Sequence, residues 1–197
     1  RLLISSLLLG FLTTLNAVTL PSHPRLMVKQ SEIPTLKTNY DHTDFNVVRT
    51  NFIAQRDYVT TGTLTSYAPK DQIRQKMEAL AFEYLIDPVN KTASGNLAID
   101  IAINYLSSFA SLGTAKITDY DGLRLTDEML IGAAMVYDWC YPLMSSSEKL
   151  TLRSAMINMC SRTEYGLPNT SNRSYLSGHY GEYNPSVYLA IGIAIFN

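Results

Sequence analysis

The chain has 197 residues, 46% of them hydrophobic, with 16 basic and 17 acidic side chains and a net charge of −1. That balance excludes a wholly disordered chain, which would be poor in apolar residues, and a nucleic-acid binder built on a basic stripe. The length suits one domain, or part of a larger one, with enough apolar residues for a sizeable core.

Arg1, the apolar stretch Leu2–Leu15 and the small residue Ala17 outline a secretory signal peptide. The run is shorter than the ~20 apolar residues of a membrane span. Residues 1–17 are therefore expected to be a partial signal, and 18–197 the N-terminal part of an exported domain, secreted or periplasmic. His23-Pro24-Arg25-Leu26 follows, then a polar segment to about Tyr67 with weak helical patches at Ser31–Thr38 and Phe45–Tyr58.

From Pro69 the character changes. Proline suits the first turn of a helix, and Ile73, Met77, Leu80, Ala81, Tyr84 and Leu85 recur at the spacing of one helical face, with Pro88 just past its end. Asn96–Leu112 reads as a second helix, apolar almost all round, and Asp127–Tyr141 as a third with Thr126 as its N-cap. Ser145 and Glu148 have the spacing of a capping box that opens a fourth helix to about Arg162, with Leu150, Leu152, Ala155, Met156 and Met159 inward. Ser186–Phe196 is a last apolar helical pattern without a cap, so the chain is expected to be a fragment.

Cys140 and Cys160 fall on two helices joined near Leu143–Ser145. If those helices are antiparallel, the two residues are offset along the axis by roughly 18 Å, against the ~7 Å between Cα atoms that a disulfide allows. Two unbridged, buried thiols are expected. No alternating run bounded by hairpin turns is present. The predicted class is all-α, with antiparallel helical hairpins layered into a ring; a bundle or a solenoid is the alternative.

Between the fourth and last helices lies a polar loop, Tyr165–Pro185, dense in Gly, Asn, Ser and Tyr. Loops of this kind on a helical scaffold are frequent sites of binding and catalysis. Inside it, His179 and Glu182 are three residues apart, on one face of any helical turn, with Gly178 and Gly181 allowing a ligand near the backbone. The pair suits β-elimination at a uronic acid. Neutral His can take the C5 proton near pH 7, and a protonated Glu can share its proton with the substrate carboxylate. The structural alternative is a loop His and a surface Glu without a catalytic role. Two ligands with no third do not make a metal site, so no metal or cofactor is predicted for this stretch. Glycosylation sequons at Asn90, Asn169 and Asn172 matter only in a host that glycosylates. Thirteen tyrosines and one tryptophan suit a sugar surface as well as a core.

Three stretches together resemble the N-terminal catalytic domain of heparinase II and the wider heparinase II/III-like lyases. They are His23-Pro-Arg-Leu26, the Tyr137-Asp-Trp-Cys-Tyr141 helix end with Ser145-Ser-Ser-Glu148, and Gly178-His-Tyr-Gly-Glu182. The resemblance implies an incomplete (α/α) toroid followed by β-sandwich domains, acting on an acidic polysaccharide. It implies His179 as base or proton carrier and Glu182 as the group that quenches the substrate carboxylate. Many relatives carry Asn directly before this His, where Gly178 stands here, and Asn184 is a nearby substitute for it. Tyr180, Tyr183 and Asn184 are candidates for substrate contact. Asp138 and Trp139 either face the sugar cleft or form a buried helix-end hydrogen bond and its packing. The family's catalytic Tyr, second His and structural zinc ligands are expected beyond Asn197, so these residues alone are expected to turn over nothing. The alternatives are a uronyl or glycoside hydrolase using Asp138 with Glu182, and a non-catalytic glycan-binding helical domain.

Overall fold

The predicted helical faces form seven α-helices and two 3-10 turns, with no strand among the described residues. The computed structural model describes residues 21–58, 70–110, 120–166 and 183–195. In chain order the helices are α1 (Ile33–Asp41), α2 (Asn46–Arg56), α3 (Lys70–Ile86), α4 (Thr92–Ala110), α5 (Tyr120–Trp139), α6 (Ser146–Gly166) and α7 (Tyr183–Ile195). The short turns Gln30–Glu32 and Thr43–Phe45 lead into α1 and α2.

Helix α5 is central and packs against α3, α4, α6 and α7, while α1 and α2 lie on α3. Its apolar circumference explains the position: Met129, Leu130, Ala133, Ala134, Val136 and Tyr137 are all buried. A helix apolar all round needs neighbours on several sides. The inward face predicted for α3, from Ile73 to Leu85, is buried in full.

The boundaries moved where a local signal was overridden by packing. Helix α4 starts at Thr92, whose hydroxyl donates to the Pro88 carbonyl at 2.9 Å, and runs through Gly95. Glycine is tolerated there because the backbone lies close to its neighbours; a Cβ would sit 2.6 Å from Leu143 and 2.8 Å from Tyr84. Helix α5 starts at Tyr120, so Thr126 is interior rather than an N-cap. An interior threonine lowers helix stability by only about half a kcal/mol.

The Ser145–Glu148 box opens α6 as expected. The Ser145 N–H donates to Glu148 at 2.7 Å and the Glu148 N–H to the Ser145 hydroxyl at 3.3 Å. The Ser145 hydroxyl, which also donates to the Glu148 carboxylate at 2.5 Å, and the Ser145 N–H hold that carboxyl below its usual range. Leu152, Met156 and Met159 point inward, whereas Leu150 is 65% exposed. Two residues are about 200° of helix, so Leu150 and Leu152 cannot share a face. Neither cysteine is in a disulfide; Cys140 is buried and Cys160 half-buried. Among the described residues no helix is long and apolar enough to cross a membrane. Residues 1–17, assigned to the signal, lie outside the described residues.

Candidate functional site

One of the buried carboxylates of the described core lies at the C-terminal end of α5. Pro142 cannot continue a helix, and the chain turns there as the Leu143 and Met144 N–H groups both reach back to the Cys140 carbonyl. Asp138, in the last turn of α5, is fully buried. A carboxylate there faces both the negative end of the helix dipole and the loss of water, so it needs donors.

The His23–Leu26 segment supplies three. The His23 Nδ1 lies 2.5 Å from one oxygen of Asp138, and the backbone N–H groups of Arg25 and Leu26 donate to the other, each at 2.7 Å. A carboxylate only accepts, so Nδ1 carries the hydrogen of this bond. The ring's Nε2 is buried with no hydrogen-bond partner. The imidazole is stacked on Tyr141 at 3.9 Å between ring centres and meets Tyr137 edge-on at 6.2 Å. On Tyr141 sits the Lys149 ammonium, 3.9 Å from the ring centre.

Trp139 closes the other side of the joint. Its indole N–H donates to the Leu26 carbonyl at 3.0 Å, and the Val28 N–H reaches that same carbonyl at 2.7 Å. The bond spans one residue, Met27, which is held at φ 59° in the left-handed region that side chains disfavour. Surrounding contacts must over-determine such a residue, and the Asp138 and Trp139 bonds are those contacts. Arg25 extends from the joint to the Ile193 carbonyl in the last turn of α7, at 3.4 Å.

Asp138 and Trp139 thus form a clasp for the N-terminal segment, next to the C-terminal end of α7. His179, Tyr180 and Glu182 lie outside the described residues, and they precede the opposite end of α7 in the chain. Tyr183 and Asn184 are the first two residues of α7. Among the described residues no group of His, Cys, Asp and Glu could hold a metal ion.

Two polar networks went unread in the sequence. Buried Glu83 takes Arg56 at 2.7 Å and the Ser94 hydroxyl at 2.8 Å, with Lys91 at 3.8 Å. Arg74 bridges Glu78 and Glu128, and beside it burial and the charge of Glu128 push buried Asp127 up to about 7. Acidic residues recurring inside apolar helices were the available signal; their partners are 4 to 54 residues away along the chain, and only Arg74–Glu78 falls within one helical turn. His23 and Asp138 are further apart, by 115 residues. No protein-family model and no curated protein sequence matches this chain.

Proposed function

We propose that this chain is part of an exported polysaccharide lyase on an (α/α) toroid, cleaving a uronic-acid-containing polysaccharide by β-elimination. His179, neutral, removes the proton at C5. Glu182, protonated, shares its proton with the substrate carboxylate and quenches the charge that would oppose carbanion formation. The electron pair of the C5–H bond becomes the C4–C5 double bond, and the C4–O bond breaks. The leaving oxygen takes its proton from an acid that the resemblance places beyond Asn197.

One observation supports the reading above others. Two of the stretches that carry the resemblance, His23–Leu26 and Tyr137–Tyr141, meet in one buried joint through Asp138 and Trp139. Asp138 is fully buried and takes three hydrogen bonds, whereas an inverting hydrolase needs a carboxylate with room for a water. That disfavours Asp138 as the water-activating carboxylate of the hydrolase alternative.

The test uses the full-length protein on a panel of uronate polymers, following ultraviolet absorbance of the unsaturated uronyl end. We expect product from at least one polymer and a loss of about 100-fold or more in His179→Ala. Saturated products, or none from any polymer with folded protein, would overturn the proposal.

A further inference from the structure

Helices α1, α2 and α3 leave between them a cavity of about 490 Å³, with Trp139 in its lining. That volume lies within the roughly 300–1,000 Å³ of small-ligand sites. Its lining is aromatic to an unusual degree, with Tyr40, Phe45, Phe52, Phe82 and Trp139 all contributing. The rings brace one another edge to face: Phe52 and Phe82 are 5.4 Å apart between centres, Tyr40 and Phe52 5.6 Å, Phe82 and Trp139 6.1 Å. Such mutual packing fixes the rings before any ligand arrives.

The polar lining is of one kind. Asn39, Gln55 and Gln75 present carboxamides that bond to no other described group. Each carboxamide offers a donor and an acceptor side by side. The two charged residues of the lining are already engaged. Arg49 donates to the Tyr40 carbonyl at 2.9 Å and to Asn46, and Glu78 accepts from Arg74 at 2.6 Å. The cavity therefore offers aromatic surface and neutral hydrogen-bonding groups, and no uncommitted charge.

A pyranose ring has that complementary form. Its C–H faces are apolar and pack on aromatic rings, and its rim of hydroxyls pairs with donor–acceptor amides. A uronate would bring a carboxylate to a place with no open cation. We infer that the α1–α2–α3 cavity is a subsite for an uncharged sugar unit, such as the hexose or N-acetylhexosamine that alternates with uronates in mixed polysaccharides. The inference rests on the carbohydrate reading above for its ligand class, but on none of residues 179–184. It gives the chain a second point of contact with the polymer, one that selects the neutral partner of the uronate.

Trp139 is the only tryptophan among these 197 residues and lines the cavity, so an emission change that Trp139→Phe abolishes reports its occupancy. The experiment titrates chitotetraose, cellotetraose and tetragalacturonate separately into full-length His179→Ala protein, which binds without turnover. We expect saturable emission change with at least one of the two uncharged probes, and tetragalacturonate at least 10-fold weaker. Adding Asn39→Ala and Gln75→Ala should weaken the uncharged probe at least 10-fold with an unchanged circular dichroism spectrum; both residues are exposed. Phe45→Ala, at a ring 45% exposed, gives a second route to the same loss. The assignment is overturned if neither uncharged probe changes the emission, if tetragalacturonate binds as tightly, or if the variants bind like the parent. Failure of the lyase assay alone leaves each of these readouts intact.

Discussion

A carboxylate in the last turn of a helix, out of contact with water, is unfavourable on two counts, and Asp138 persists because three donors reach it. Removing it should therefore do more than remove one contact. Asp138→Ala leaves two buried backbone N–H groups and the His23 Nδ1–H without acceptors, and should cost about 3–5 kcal/mol in denaturant unfolding. A loss under about 1 kcal/mol would show that the clasp does not hold the N-terminal segment. The sequence marked both halves of this joint as noteworthy, yet no local rule paired them. Asp138 was legible as a polar residue in an apolar helix; His23 as its partner was not, because the pairing spans 115 residues.

Helix interiors test the same contrast between local propensity and packing. Two of the glycines inside helices should respond with opposite signs. At Gly95 of α4 an added Cβ meets Leu143 and Tyr84 below 3 Å, whereas at Gly192 of α7 it meets nothing within 4 Å. Gly95→Ala should destabilise by about 1–3 kcal/mol through overpacking. Gly192→Ala should stabilise by about 0.5–1 kcal/mol through helix propensity. Urea midpoints at constant m-value check both, and equal signs would refute the packing account. Periodicity was enough to find α3 to α7. It placed the start of α5 seven residues late because Thr126 resembles a cap, and only neighbouring helices decide whether a threonine is end or interior. Leu150, expected on the inward face of the amphipathic α6, is sent to solvent by its angle around that helix.

For the whole molecule, pH is the lever. Asp127 has its carboxyl pushed from the ordinary 3.8 up to about 7, first by burial and then by Glu128. The folded state thus holds a proton that the unfolded chain releases. Stability from this group is complete below about pH 4 and lost as pH rises through about 7. Asp57, Asp87 and Glu148 act oppositely. Hydrogen bonds from Arg56, Asn90 and Ser145 hold them low, so their stabilisation is present above the usual carboxylate range and lost as pH falls. Asp127→Asn should gain on the parent progressively from about pH 4 to about pH 7, measured by thermal or urea unfolding; a constant difference across that range would refute the shift. What the sequence by itself determined is the helical class, the face of α3, that of α6 apart from Leu150, and the capping box, because each rests on residues three or four apart. What only the tertiary structure decided is which polar side chains meet: His23 with Asp138, Arg56 with Glu83, Arg74 with Glu128. It also decided that α1, α2 and α3 leave an aromatic cavity with Trp139 in its lining. Those outcomes depend on how apolar helices exclude water around α5, and a buried charge takes whichever donor the packing brings within reach.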